Sequence, residues 1–166
     1  MKLLYNNTEI ISGTHLTPLQ AHSEPKVEYT ANPNKLYTLI MHDPDAVVGN
    51  YLHWVVINIP DNAIANGQQL LNYKGPAPPP GSGIHRYIFL VFEQAERINA
   101  QSIPESKRAM SLDALYSLLN ADLHLNSTAY FTSENEKNGG RKRKRNDKSS
   151  KTKKRKVRRK KGTKNR

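Results

Sequence analysis

The sequence predicts a mainly β domain joined to a strongly basic C-terminal tail. Three observations carry that prediction. Residues 36–41 (LYTLIM), 51–59 (YLHWVVINI) and 85–94 (HRYIFLVFEQ) are apolar runs of strand length, rich in β-branched and aromatic side chains. One segment alone, 111–120 (SLDALYSLLN), has helical periodicity, so strands do not alternate with long helices as a doubly wound α/β sheet requires. The charge is also divided. Residues 141–166 hold 17 of the 26 lysines and arginines against the single acid Asp147, a net +16, whereas residues 1–140 carry 9 basic and 13 acidic residues, a net −4. A domain over residues 1–136 and a disordered polybasic tail over 137–166 follow from this split.

The elements follow in chain order. Residues 3–5 and 9–11 read as an opening hairpin, with Asn6 and Asn7 in its turn. The polar stretch 14–25, with two prolines, reads as loop or edge, and 26–30 has the charge alternation of an edge strand. The first apolar run ends in a predicted loop, 42–50, on the strength of Asp43-Pro44-Asp45 and Gly49-Asn50. After the second run, Pro60-Asp61-Asn62 opens a long connection through residue 73. The segment 75–83 (GPAPPPGSG) excludes helix and cannot donate ladder hydrogen bonds at its prolines. Ser111 is placed to cap the helix, with Asp113 in its first turn and Leu112, Leu115, Tyr116 and Leu119 on one face. A last strand is expected at 128–132 (TAYFT).

A chain of 166 residues has room for one ordinary domain. It contains no cysteine, which excludes disulfide and thiol chemistry. The N-terminus lacks a signal-peptide pattern and no run approaches the ~20 apolar residues of a membrane span. The expectation is a protein without a transmembrane segment, cytoplasmic or nuclear and not secreted, with a virion location as a further alternative.

Chemistry-bearing residues gather at strand ends. Asp43-Pro44-Asp45 precedes His53-Trp54 by eight residues, and the Pro78-Pro79-Pro80-Gly81-Ser82-Gly83 run leads into His85-Arg86-Tyr87. Imidazoles of His53 and His85, the Tyr87 hydroxyl and inward amides at the glycines would suit an anion. The acids would orient the imidazoles by fixing their tautomers. Arg86 reads as a brace for an acid as readily as a ligand contact. Nothing in the spacing resembles a helical zinc motif, and Ser82 lies in G-S-G rather than the nucleophile elbow G-x-S-x-G, so neither a metal, a cofactor nor a catalytic residue is expected.

The strings YTLIMHDPDA (37–46), HWVVINIP (53–60) and GPAPPPGSGIHRYIFLVFEQ (75–94) resemble the phosphatidylethanolamine-binding protein family, in both order and separation. The resemblance implies a large antiparallel sheet packed on a smaller one with a few short peripheral helices. It also implies a shallow pocket for a phosphate-type anion or a phosphoethanolamine headgroup. Carried over by residue, its lining is Asp43, Asp45, His53, Pro79, His85 and Tyr87, with Pro78 and Gly83 shaping the loop. Most eukaryotic members close with a helix where this chain has its basic tail.

The tail clusters are Arg141, Lys142, Arg143, Lys144, Arg145 and then Lys153, Lys154, Arg155, Lys156, Arg158, Arg159, Lys160, Lys161. KKRKV resembles a nuclear-localisation cluster, and the whole segment suits non-specific phosphate contact with nucleic acid, ahead of an anionic membrane. The expected function is a non-enzymatic binding module with a nucleic-acid or targeting tail and an unidentified protein partner. The alternatives are a nucleic-acid-associated structural protein with a vestigial pocket, or a small hydrolase.

Overall fold

The computed structural model describes residues 1–135. The polybasic tail, and with it Glu136 at the expected domain edge, lies outside the described residues. Two antiparallel sheets form the frame. The smaller joins β1 (Lys2–Tyr5), β2 (Thr8–Ile10) and β3 (Lys26–Glu28) in the order β2-β1-β3. The larger joins β4 (Leu36–Ala46), β5 (Gly49–Pro60), β6 (Gln68–Leu71), β7 (His85–Gln94) and β8 (Leu123–Ser133) in the order β6-β5-β4-β7-β8. One helix, α1 (Leu112–Leu119), packs beside it.

Local chemistry explains most of the boundaries. Asn6 and Asn7 both take positive φ, 50° and 62°, which a tight β1–β2 turn demands and asparagine tolerates. The Ser111 hydroxyl accepts a hydrogen bond from Ala114 N at 3.1 Å, and Asn120 closes α1 in the left-handed region.

The apolar runs are continuous because the large sheet is covered on both faces. One face, through Tyr37, Leu39, Met41, Trp54, Val56, Phe89 and Phe131, packs on the small sheet at Leu3, Tyr5 and Val27. The other, through Ile40, Leu52, Val55 and Ile57, is covered by Ile98, Ile103 and by Leu115 and Leu119 of α1.

Three expectations are corrected. The 42–50 loop is instead the tip of a long hairpin: β4 runs through Asp43-Pro44-Asp45 to Ala46 and β5 begins at Gly49. Proline is tolerated there because the β4–β7 ladder has already ended at His42↔Ile88. The long connection contains a strand, β6, whose Leu71 pairs with Val55. The last strand is longer than 128–132, because its largely exposed first half pairs with β7 from Gln94 to Val91 before the buried half continues to His85.

Candidate functional site

β4, β5 and β7 lie side by side, and their chemistry-bearing residues meet at one end of the large sheet. A cavity of about 260 Å³ opens there, walled by Asp43, Tyr51, His53, Lys74, Pro79, His85 and Tyr87 among others. Ala46, Val47 and Val48 of the β4–β5 hairpin form one lip and Gly75, Ala77, Pro78 and Pro79 the other. Of the residues expected to line it, Asp43, His53, Pro79, His85 and Tyr87 come together on this wall. Asp45 and Gly83 do not.

His53 reaches the cavity through a β-bulge. Met41 pairs with Trp54 and His42 with Leu52, which leaves His53 without a partner on β4. The extra residue resets the alternation, so that His53 joins the same side as Trp54 and Tyr51. Two donors grip the bulge carbonyl: Lys74 N at 2.9 Å and the guanidinium of Arg108 at 3.0 Å. Arg108 is buried, and it also donates to the carbonyls of Leu52 and Asn72 and forms two bonds with the Glu105 carboxylate. Sequence reasoning gave no role to Arg108, since a lone arginine in a polar stretch carries no periodic signal.

The two histidines are held differently. Nδ1 of His53 lies 2.7 Å from the Lys74 carbonyl, which can only accept, so Nδ1 carries the hydrogen. Burial pushes the ring down to a pKa of about 4, so it is neutral at pH 7. A neutral ring protonated at Nδ1 presents a lone pair at Nε2. At Nε2 the His53 ring can therefore only accept. His85 gives Nδ1 to Asp43 Oδ2 at 2.7 Å and places Nε2 2.8 Å from the Ser82 hydroxyl. Ser82 also donates to the Pro79 carbonyl at 2.8 Å, so the proline-glycine loop is tied back onto the imidazole.

Asp43 has both oxygens engaged, Oδ2 on His85 and Oδ1 accepting from Asp45 N at 2.8 Å. Asp45 turns away to Arg86 in a bidentate pair of 2.7 and 2.8 Å, and accepts from the Arg86 backbone at 3.0 Å. Those bonds hold its carboxyl below the usual carboxylate range. Asp45 thus braces β4 against β7. Tyr87 is buried edge-on against His53, ring centroids 5.0 Å apart, and burial raises its hydroxyl above the ordinary tyrosine range. Tyr51 also meets His53, ring centroids 5.0 Å apart, and Lys74 Nζ donates to the Tyr51 hydroxyl at 3.0 Å. Tyr51 and Lys74 were not anticipated, although Lys74 directly precedes the GPAPPPGSG segment. Among the described residues, no group of three metal-ligating acids or histidines is present.

Comparison with known proteins places this arrangement. A 26 kDa secreted antigen of Toxocara canis is 44% identical over 101 residues, 57% of this chain and 38% of the antigen. A putative odorant-binding protein, A5, of Drosophila melanogaster is 35% identical over 133 residues, 76% of this chain and 58% of that protein. The chain thus spans only part of the length of these relatives. The structure of a carboxypeptidase Y inhibitor complexed with its cognate proteinase superposes with a TM-score of 0.61 at 23% identity, covering 80% of this chain and 81% of that one.

The secreted relative overturns the expectation of a cytoplasmic or nuclear, non-secreted protein, and the virion alternative falls with it. No helix among the described residues is long and apolar enough to cross a membrane. The family model for phosphatidylethanolamine-binding protein matches residues 6–133. The large and small antiparallel sheets agree with that match, and this chain is a member of the phosphatidylethanolamine-binding protein family.

Proposed function

We propose that the cavity holds a phosphate-type anion, as a free phosphate or a phosphoethanolamine headgroup, and that the protein is a non-enzymatic binding module acting as a regulator or adaptor. The observation that carries the reading is the convergence of two histidines and two tyrosines on the wall of one small cavity that also includes a lysine. Family membership supports it, and the inhibitor among the structural relatives supports a role that needs no catalysis. The Asp43–His85–Ser82 chain of hydrogen bonds has the order of a hydrolase triad, but Ser82 shares its one proton with the Pro79 carbonyl and is absent from the cavity wall.

The His53 tautomer sets the chemistry of binding. A phosphate oxygen can meet Nε2 only across a proton, carried by the ligand or taken up by the ring. Affinity therefore rises as pH falls from 8 to 6, with one proton taken up. The test is a titration of inorganic phosphate followed by the ring-proton resonances of His53 and His85. Shifts in both that saturate at millimolar ligand, and tighten toward pH 6, are expected; unmoved rings would reject the pocket.

The second part of the proposal concerns the tail, whose residues 141–166 carry a net +16 that suits counterion release from nucleic acid. Replacing the basic residues of 153–161 by glutamine should weaken duplex binding and flatten its salt dependence. An unchanged slope would reject a nucleic-acid role.

A further inference from the structure

We infer that the end of the fold around the cavity mouth docks on the surface of an anionic phospholipid bilayer, with Leu19, Val47, Val48 and Ile84 as the side chains that enter it. The choice of a lipid surface rests on the phosphate-binding reading above and adds a partner to it.

These four side chains are the exposed apolar tips of three separate segments, at 85%, 77%, 64% and 60% exposure respectively. Val47 and Val48 form the two-residue turn between Ala46 and Gly49 and belong to the cavity lip. Ile84 directly precedes His85 of the cavity wall. Leu19 lies in the turn over 17–21, closed by Ala21 N on the Thr17 carbonyl at 3.3 Å. On one side of that turn, Leu16 N donates to the Thr132 carbonyl at 2.8 Å, next to the end of β8. On the other, the Ala21 carbonyl accepts from the Tyr73 hydroxyl at 2.6 Å. Ala21 and His22 also pack against Gly75 of the lip, where a Cβ would come within 2.9 Å of the Ala21 carbonyl oxygen. The turn is therefore fixed beside the cavity mouth. By contrast, the exposed Leu118 and Leu125 lie on α1 and in the far half of β8.

The residue types run against local chemistry. A two-residue hairpin turn ordinarily takes asparagine, aspartate or glycine, as the Asn6-Asn7 turn of this chain does. Val47-Val48 puts two β-branched side chains in water instead, and departures of that kind fall where function requires them. A phosphate cavity ringed by apolar tips matches a surface that presents phosphates with hydrocarbon just beneath them, which a phospholipid bilayer does. Free phosphate and nucleic acid would leave the tips in water. The tail adds charge at the same face. Ser133 pairs with His85, and Arg141 follows Ser133 by eight residues, so the first basic cluster begins no more than about 28 Å away. The net +16 of residues 141–166 attracts anionic lipid as it attracts nucleic acid, and it is the apolar tips that decide between the two surfaces.

The chain has no cysteine, so Val48→Cys gives one attachment point for an environment-sensitive fluorophore, and Leu125→Cys gives a control on the far half of β8. Each labelled full chain is mixed with phosphatidylcholine vesicles containing about one-third phosphatidylserine at moderate salt. The label at 48 should shift to the blue and be quenched by a quencher held in the acyl chains; the label at 125 should do neither. Leu19→Gln combined with Ile84→Gln should weaken vesicle binding about tenfold, the effect of losing two inserted apolar side chains, with the urea midpoint unchanged. No binding, or a label at 48 that stays in water on bound vesicles, overturns the inference, the second result meaning attachment by the tail alone. Unchanged affinity in the double variant overturns it as well. A blue shift at 48 produced by duplex DNA, or by raising the protein concentration, with no vesicles present gives the face to nucleic acid or to a second copy and also overturns it. The titration with soluble phosphate tests the cavity separately: insertion with unmoved His53 and His85 rings would keep the docking face and reject the pocket, and moved rings without insertion the reverse.

Discussion

Asp43 and His85 form a buried acid–imidazole pair across two strands: Oδ2 and Nδ1 are 2.7 Å apart, with the side chains 4% and 2% exposed. Asp43 lies one residue past the last β4–β7 rung, where β4 turns from core-forming strand into cavity lip. The pair therefore ties the hairpin to β7 and fixes the ring that faces the cavity. Asp43→Ala would leave a buried polar ring without its acceptor and should cost about 3 kcal/mol. Asp43→Asn keeps an oxygen for Nδ1–H and should cost about half as much. Urea unfolding midpoints of the two variants measure this; equal losses would show that the carboxylate is held by packing and not by the imidazole.

Burial holds His53 neutral, and stability should depend on pH accordingly. Its folded pKa of about 4 lies below the ordinary value of 6.5, so between those values the unfolded chain binds the proton that the folded chain refuses. The contribution is fully present above pH 6.5 and is lost as pH falls toward 4, by up to about 3 kcal/mol at 1.36 kcal/mol per unit. Burial lowers His42 as well and adds to the same slope. Denaturant midpoints between pH 7 and pH 4.5 should fall steeply in the unsubstituted protein and less steeply in His53→Gln. Parallel curves would assign the acid sensitivity to other groups.

Ser82 occupies the nitrogen of His85 that an anion would use. Its hydroxyl is 2.8 Å from Nε2 and 2.8 Å from the Pro79 carbonyl, so the loop competes with the ligand for that ring. Ser82→Ala should free Nε2 and tighten phosphate binding about two- to fivefold, the worth of one modest hydrogen bond. The same variant should loosen the loop and lower stability by less than about 1 kcal/mol. A loss of affinity instead would mean that the Ser82 hydroxyl itself contacts the ligand.

These relationships differ in how far the sequence discloses them. The runs at 36–41, 51–59 and 85–94 are visible because both faces of the large sheet are covered and its central strands are largely apolar. That same uniformity hides the bulge at His53: when every position in LHWVV is buried, no break in alternation marks the extra residue. Asp43-Pro44-Asp45 has the composition of a turn, and only the pairing of Asp43 with Tyr51 shows that the backbone continues as strand. Asp45 and Arg86 are 41 residues apart, and nothing in either neighbourhood reveals that the acid serves the arginine and not the ligand. Lys74 is a single charge in a polar stretch and Arg108 one of three charges in 105–108, and their roles arise from which carbonyls and hydroxyls the fold brings to them.

Arg108 provides the strictest test of how the site is held. Its guanidinium is buried and reaches three carbonyls, at Leu52, His53 and Asn72, while Glu105 balances its charge. Two of those carbonyls belong to the bulge that delivers His53 to the cavity. A lysine keeps the charge but, with one nitrogen, cannot span the fork of acceptors that arginine meets. Arg108→Lys should cost about 2–3 kcal/mol, and Arg108→Met, which also strands the carbonyls, about 3–5 kcal/mol. Structural loss alone would lower the unfolding midpoint. If the guanidinium also sets the bulge, Arg108→Lys should shift the His53 ring resonances in the folded protein and weaken phosphate binding, with the His85 resonances little changed. His53 resonances and affinity unchanged in a destabilised Arg108→Lys would confine Arg108 to packing and assign the bulge to β5 and Lys74 alone.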